Sequence, residues 1–287
     1  MSAEEHRELE VSSPTGPRLA AWERGARNAP PVILMHGLSM TSQQAFGSTS
    51  PILAAGFRAI AYDARGHGAS DPAVNPDEYG YDYLLEDLTA VMDRCGAERA
   101  VVAGISMGAH TALRLSLEQR ERVLGLAVIS PAYDPDNHPG EENTAEALAL
   151  AAGVRSRGAA GFAEAMRMPA GFARDTATQK TAEGFTRRSV ERHGHLDAVA
   201  DAIECSLGSR PFGSLEELAA ITVPTVVVGS HDDLDTRHPL ALARIYAAAL
   251  EGCDFVCEEK GRPPLGWGGR RLTALIAAHA RRIYEQL

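Results

Sequence analysis

Short apolar runs alternate with longer helical patterns along the first half of the chain. The apolar runs have no alternating polar positions, and they lie at residues 32–35, 57–62, 100–103 and 123–129. Between them, helical patterns cover residues 42–55, 81–96 and 107–119. Such strands, apolar on both faces and separated by helices, indicate a mostly parallel sheet with helices on both sides. Residues 8–11 and 18–22 predict a hairpin at the edge of this sheet.

The strand pattern is interrupted between residues 134 and 218, where Ala-rich helical patterns replace it. It then resumes, with strands predicted at residues 223–228 and 254–258 and helices at residues 238–250 and 269–284. One interrupted α/β unit explains this order better than two tandem domains. We therefore predict an α/β core from residues 1–133 and 219–287, with residues 134–218 forming a helical cap.

Ser106 stands at the centre of Gly104-Ile105-Ser106-Met107-Gly108, between a predicted strand and a predicted helix. A serine at a sharp strand-to-helix turn projects its hydroxyl out of the sheet, and the flanking glycines allow strand and helix to approach closely. The start of the helix adds free backbone N–H groups and the positive end of the helix dipole. The motif in this context predicts that Ser106 is a nucleophile.

A second segment, His36-Gly37-Leu38, directly follows the strand at residues 32–35. This is where the loop of an oxyanion hole is expected, so the backbone N–H groups of Leu38 and Met107 are predicted to stabilise a developing oxyanion. A third segment, residues 63–70, follows the next strand. We interpret it as a structural turn in which Asp63 and Arg65 tie loops together and His67 is a hydrogen-bonded loop residue.

These three motifs together resemble the α/β-hydrolase superfamily, in the capped branch of esterases, lipases, haloperoxidase-like enzymes and carbon–carbon bond hydrolases. The resemblance extends from the strand at residue 32 to the last helix. It implies the α/β-hydrolase fold and a serine nucleophile at position 106. Dehalogenase and epoxide hydrolase chemistry is disfavoured, because those members of the family attack through a carboxylate.

The resemblance also implies an acid after the strand that follows the cap. Here that strand ends in Gly229-Ser230-His231-Asp232, so Asp232 falls at the matching position. Asp233 and Asp235 are alternatives. Aspartates are also favoured in a turn and at the start of a helix, which is the structural interpretation of the same residues.

The base that the family uses is a histidine between the last strand and the last helix. Residues 260–269 read KGRPPLGWGG and contain no histidine, and the later His279 is expected on the surface of the terminal helix. We take His110 as the first substitute, because it lies four residues after Ser106 and helical side chains lean toward the helix N-terminus. The other histidines considered are His36, His138, His193, His195 and His238, the last of which is expected to cap the helix that begins at Pro239.

Composition excludes some partners. The chain of 287 residues has a net charge of −10, which disfavours nucleic acid and anionic membranes because both select basic surfaces. No apolar run approaches the roughly 20 residues of a membrane-spanning helix, so a cytoplasmic location is expected. No phosphate-binding loop or metal-ligand spacing is present, so neither a cofactor nor a metal is predicted. The abundance of Ala and Arg suggests a bacterial source, and the oligomeric state is left open between a monomer and a homodimer.

The sequence therefore predicts a serine-dependent hydrolase that acts on an ester or related acyl bond of a small apolar molecule. Its catalytic residues are Ser106, Asp232 and His110, and its oxyanion hole is formed by Leu38 and Met107. Because the usual histidine is absent, two alternatives remain: a lyase, isomerase or cyclase on the same fold, and a binding protein without turnover.

Overall fold

The computed structural model describes residues 6–136, 141–166, 176–231, 235 and 237–287. Within these residues, eight strands form one sheet in the order β1-β2-β4-β3-β5-β6-β7-β8. The strands are β1 (His6–Ser12), β2 (Arg18–Arg24), β3 (Pro31–Met35), β4 (Arg58–Tyr62), β5 (Ala100–Ile105), β6 (Val123–Ile129), β7 (Thr225–Gly229) and β8 (Asp254–Cys257). The β1–β2 and β2–β4 pairs are antiparallel, and all other pairs are parallel.

Helices connect the parallel strands, as the alternating pattern predicts. They are α1 (Ser42–Phe46), α2 (Ser50–Ala54), α3 (Tyr81–Arg94), α4 (Met107–Glu118), α5 (Glu141–Ala165), α6 (Thr176–Val190), α7 (Leu196–Gly208), α8 (Leu240–Ala249) and α9 (Arg270–Tyr284). The mostly parallel sheet with helices on both faces confirms the predicted α/β-hydrolase fold class.

Each central strand buries both of its faces, which explains why its sequence has no polar alternation. On one face, strand residues such as Val102 pack with Leu88 of α3, Leu113 of α4 and Tyr246 of α8. On the other face, strand residues such as Val101 pack with side chains of α1, α2 and α9. The two buried layers make the sheet a rigid platform for the loops at its carboxyl edge.

One predicted helix is divided in two. Residues 42–55 were expected to form a single helix, but α1 ends at Phe46 and α2 begins at Ser50. Pro51 in the first turn of α2 has no backbone N–H to continue a helix from α1, and Thr49 precedes that turn as its N-cap. The break is therefore a consequence of the proline, whose ring is tolerated only at a helix start.

Helices α5, α6 and α7 lie between β6 and β7, in the segment predicted to be a cap. They share an apolar cluster that includes Leu150 and Val154 of α5, Val190 of α6 and Ile203 of α7. Partly buried Leu38, from the loop after β3, packs against the same cluster. The division of the chain into a core and a cap stays a prediction, and these contacts show only how the three helices meet the sheet edge.

Candidate active site

The turn at Ser106 has the backbone geometry that a nucleophile on this edge requires. Ser106 has φ of 48° and ψ of −109°, in the left-handed half of backbone space that non-glycine residues rarely adopt. Its N–H donates to the carbonyl of Ile129 at 2.8 Å, which ties the end of β5 to the end of β6. The strained turn lifts the Ser106 side chain into a cavity of about 930 Å³.

Glycines on both sides of Ser106 allow this close approach. A Cβ on Gly104 would lie 2.2 Å from the carbonyl group of Gly108, and a Cβ on Gly108 would lie 2.6 Å from the carbonyl oxygen of Met35. The spacing of the motif is therefore a packing requirement: strand β5, helix α4 and the loop after β3 meet at distances that exclude a side chain.

The two residues predicted to form the oxyanion hole both line the cavity beside Ser106. Met107 is the first residue of α4, so its N–H has no carbonyl one turn earlier in the helix to bond with. Leu38 lies in the loop after β3. Among the described residues, neither of these backbone N–H groups has a hydrogen-bond acceptor, which leaves both free for a substrate oxygen. Their role as an oxyanion hole stays a prediction.

Three buried imidazoles, which we call the histidine clamp (His36, His67 and His193), hold the loop that contains Leu38. Ser39 has φ of 61°, and its N–H donates to Nε2 of His67 at 3.2 Å while its carbonyl accepts from Nε2 of His193 at 2.9 Å. Nδ1 of His36 donates to the carbonyl of Gly37 at 2.8 Å. The backbone on both sides of Leu38 is thus fixed by side chains.

The other nitrogen of each clamp residue is also used. Ala64 N–H donates to Nε2 of His36 at 2.9 Å, Gly68 N–H donates to Nδ1 of His193 at 2.8 Å, and Nδ1 of His67 donates to the carbonyl of Arg65 at 2.9 Å. Each imidazole therefore donates once and accepts once, as only a neutral ring can. Burial lowers the pKa of all three, that of His193 to about 4.

The turn after β4 is structural, as the sequence predicts. Asp63 accepts from the N–H of Ser42 at 2.7 Å and from the N–H of Ala69 at 3.0 Å. Arg65 is fully buried and forms two hydrogen bonds to the carboxylate of Asp87, at 2.7 and 2.8 Å. The aspartate and the arginine join this turn to the loop after β3 and to α3, and His67 belongs to the clamp.

His110 lines the cavity, but both nitrogens of its imidazole are hydrogen-bonded to other groups of the protein. Nδ1 is 3.0 Å from the hydroxyl of Tyr81, and Nε2 accepts from the backbone N–H groups of Ala132 and Tyr133 at 3.1 and 3.2 Å. Burial lowers its pKa to about 3. Neither nitrogen is left to accept the proton of Ser106, so the base role predicted for His110 stays a prediction that its hydrogen bonds do not support.

Asp232, the predicted acid, and its alternative Asp233 lie outside the described residues, as does His138. The remaining alternative, Asp235, lines the cavity, and its Oδ2 accepts a hydrogen bond from Nδ1 of His238 at 2.8 Å. Both side chains are largely buried, with 12% exposure for the carboxylate and 21% for the imidazole. Burial raises the pKa of the Asp235 carboxyl, but the electrostatic attraction of His238 and the hydrogen bonds from His238 and from the N–H of Arg237 outweigh it, so the pKa lies below its usual value.

His238 differs from its expected role. The sequence predicts that it caps the next helix, but α8 begins at Leu240 with Pro239 at its N-cap, and the His238 side chain turns back to Asp235 instead. The fixed backbone angle of Pro239 supplies the helix start without a side-chain cap. The signal in the sequence was the Asp235-x-x-His238 spacing just before Pro239, which by itself does not distinguish a turn from a site.

The loop in which the family resemblance implies a histidine brings an indole to the cavity. Trp267 lines the cavity and stacks on Phe185 of α6, with ring centroids 4.5 Å apart and an interplanar angle of 7°. Glu258 holds this loop by accepting from the N–H groups of His231 at 2.7 Å and Leu265 at 3.3 Å. His279, expected on the surface, is buried at 3% exposure under β6 and is not among the cavity residues.

Most of the cavity wall is apolar. Leu150 and Phe162 come from α5, Met166 directly follows α5, Phe185 comes from α6, and Trp267 comes from the loop after β8. Polar groups lie mainly along the sheet edge, where Ser106, Ser130, Asp235 and His238 face the same space. In the described part of the chain, no cluster of His, Cys, Asp and Glu has the geometry of a metal site, and no helix is long and apolar enough to cross a membrane.

Comparisons with known proteins agree with this architecture. A family model described as alpha/beta hydrolase fold matches residues 30–170. The chain is 27% identical over 230 residues to 3-oxoadipate enol-lactonase 1 of Acinetobacter baylyi. The aligned residues cover 79% of this chain and 80% of the relative. It is 31% identical over 187 residues to 2-hydroxy-6-oxononadienedioate/2-hydroxy-6-oxononatrienedioate hydrolase 2 of Pseudomonas putida, covering 64% and 63% of the two chains. Among solved structures, a carboxylesterase study of the thaumarchaeon Nitrososphaera gargenis provides a chain with a TM-score of 0.79 at 16% identity, covering 97% of this chain and 100% of that one.

Proposed function

Because this chain is a hydrolase of the α/β-hydrolase superfamily, we propose that it cleaves an ester or lactone through attack by Ser106. The observation that carries the proposal is the position of Ser106: a strained turn presents its hydroxyl to the cavity beside two backbone N–H groups without acceptors. Strain of this kind persists where the surrounding structure enforces it, and it concentrates at functional sites.

The chemistry follows from these groups. The Ser106 oxygen adds to the carbonyl carbon of the substrate, and the negative charge that develops on the carbonyl oxygen is stabilised by the N–H groups of Leu38 and Met107. Collapse of the tetrahedral intermediate expels the alcohol and leaves an acyl group on Ser106. Water then adds to the acyl carbon and releases the acid, which restores the hydroxyl.

The cavity wall supports a small apolar substrate. Apolar side chains of α5, α6 and the loop after β8 surround the space above Ser106, and such walls bind the hydrocarbon part of a ligand while a few polar groups orient it. The relative named as an enol-lactonase aligns with four fifths of this chain, which favours a lactone, an internal ester, within the general class. We therefore propose an apolar ester or lactone of small to medium size as the substrate.

A fluorophosphonate probe tests the nucleophile directly. We expect one adduct per chain by intact mass, located on Ser106 by peptide mapping, and none in Ser106→Ala. p-Nitrophenyl esters and simple lactones should be hydrolysed by the wild type and not by Ser106→Ala. Ser116, which is buried in α4 and donates to the carbonyl of Ala112, is the matched control: Ser116→Ala should label like the wild type. A wild-type protein that forms no adduct and hydrolyses no ester or lactone would overturn the proposal.

A further inference from the structure

We propose that His238, oriented by Asp235, is the general base for Ser106, so that base and acid both come from the loop after β7. This inference rests on the proposed function, and it names the proton acceptor that the loop after β8 does not supply. Within the described residues, His238 is the cavity histidine whose imidazole is held at Nδ1 by a carboxylate and whose Nε2 has no hydrogen-bond partner.

The strand ends bring the two residues together. Ser106 follows β5, and the loop containing His238 follows β7, with only β6 between them. The Ser106 N–H bonds to the carbonyl of Ile129 in β6, and the Ser130 N–H bonds to the carbonyl of Val228 in β7, each at 2.8 Å. Neighbouring strands are about 4.8 Å apart, so the ends of β5 and β7 are about 10 Å apart, and Ser106 and His238 both line the cavity at this edge of the sheet.

The hydrogen bond to Asp235 sets the chemical state of the imidazole. With Nδ1–H donated to the carboxylate at 2.8 Å, the neutral ring carries its lone pair on Nε2, the atom that can accept a proton. The same carboxylate stabilises the imidazolium that forms when the proton arrives. Asp235 is itself held by the N–H of Arg237 at 3.2 Å, and it acts through His238 as a positioning residue.

The proton balance is complete without a further reactant. As the Ser106 oxygen bonds to the carbonyl carbon, its proton moves to Nε2 of His238, and that proton then passes to the departing alcohol oxygen as the carbon–oxygen bond breaks. In the second half, water gives a proton to Nε2 while its oxygen bonds to the acyl carbon, and Nε2 returns the proton to Ser106 as the acid leaves.

The other histidines considered as the base are excluded by their contacts or positions. His195 is exposed at the start of α7 and is not among the cavity residues. Both nitrogens of His110 and of each clamp residue are hydrogen-bonded to protein groups, and freeing one would leave a backbone group or the Tyr81 hydroxyl without its partner. His279 is buried away from the cavity.

The test is the rate of fluorophosphonate labelling and of ester turnover in His238→Ala. Loss of a general base lowers such rates by about 10²- to 10⁴-fold, and we expect added imidazole to restore part of the labelling rate because it can occupy the vacated space. His231→Gln, on the same loop, should label within twofold of the wild type. Asp235→Asn should lower kcat with little change in KM, and Asp235→Glu should recover part of it.

The outcomes separate the two proposals. A wild-type chain in which Ser106 is never labelled overturns the nucleophile and with it the base. A wild type that labels normally, together with a His238→Ala that labels at the same rate while keeping its melting temperature, overturns the base and leaves the nucleophile. A His238→Ala protein that labels slowly but gains nothing from imidazole, and melts well below the wild type, assigns His238 a structural role and also overturns the inference.

Discussion

Two groups of loops flank the Ser106 turn at the carboxyl edge of the sheet, and both carry histidines. On the β3–β4 side, every imidazole of the clamp donates to and accepts from backbone groups and is buried. On the β7 side, His238 has a carboxylate on one nitrogen and the cavity beside the other. We take the clamp histidines as structural because protein groups satisfy both of their nitrogens, and we propose His238 as the reactive one because it lines the cavity with Nε2 unbonded within the described residues.

The two groups of loops also differ in what they are expected to do: the β3–β4 side fixes the backbone, and the β7 side is proposed to take part in the reaction. The β3–β4 side holds Leu38 and has to keep a backbone N–H in place, so it uses many bonds to fixed groups. In the mechanism that we propose, the β7 side moves protons, so it needs a ring whose charge can change without breaking the surrounding structure. Variants on the first side should therefore act mainly on stability, and variants on the second mainly on rate.

The largest stability effect is expected in Asp87→Ala, which removes the carboxylate of α3 that pairs with Arg65 in the turn after β4. The substitution leaves the guanidinium of Arg65 charged and fully buried without its carboxylate, and breaking a buried pair in this way costs about 3–5 kcal/mol. Urea unfolding measures it. Asp82→Ala is the control on the same helix, because that aspartate is 78% exposed and its pair with Arg114 should contribute below about 1 kcal/mol. Equal losses in the two variants would contradict the assignment of Arg65 and Asp87 as a structural pair.

A second prediction concerns acid. Because burial lowers the pKa of His193 to about 4 in the folded protein, the unfolded chain binds more protons below pH 6.5, and stability falls as the pH drops from 7 toward 4. At pH 5, His193 alone should account for about 2 kcal/mol of that loss. His36, His67, His110 and His279 act in the same direction, since their pKa values are also lowered by burial.

Urea unfolding of the wild type and of His193→Gln at pH 7 and pH 5 checks this. The variant should be less stable than the wild type at pH 7. Because glutamine takes up no proton, the difference in the free energy of unfolding between the two proteins should shrink by about 2 kcal/mol at pH 5. A difference in stability that is the same at both pH values would mean that folding does not lower the pKa of His193, which contradicts its buried neutral state in the clamp.

The third prediction addresses the apolar wall of the β7–β8 side. Stacked aromatic pairs contribute about 0.5–1.5 kcal/mol beyond their buried area, so a double-mutant cycle of Trp267→Leu and Phe185→Leu should give a coupling energy of about 1 kcal/mol. We also expect KM for long-chain esters to rise severalfold in each variant, with kcat for an acetyl ester nearly unchanged. Strict additivity of the two substitutions would show that the rings do not stack in solution.

Local signals in the sequence were enough to predict the sheet and the position of Ser106. Apolar strand runs, a glycine-flanked serine and the strand-to-helix order are each contained within a few residues, and the glycine contacts at Gly104 and Gly108 explain why that spacing is needed. The predicted positions of Leu38 and Met107 at the cavity follow from the same short segments.

The histidines could not be assigned in the same way, because their partners are distant in sequence. His193 accepts from Gly68, 125 residues earlier, and His110 accepts from residues 22 and 23 positions later. A residue's charge state depends on whether such partners fill both nitrogens, and no local pattern records that. His279 shows the same limit, since the arginines around it predicted a surface position although the ring is buried.

The smallest effect on stability is expected at the ion pair between the loop after β7 and helix α5. Arg237, next to His238, pairs with Glu146 of α5 at 2.6 Å, but the two side chains are 31% and 49% exposed. Water and salt screen such a pair, so a double-mutant cycle of Arg237→Met and Glu146→Gln should give about 0.2–1 kcal/mol at low salt and close to zero at 1 M NaCl. Ester turnover should stay within about threefold of the wild type in both variants, because neither group carries a proton in the reaction. A coupling energy above about 2 kcal/mol that resists salt would mean that α5 anchors the loop of the base, and the β7 side would then share the rigidity found on the β3–β4 side.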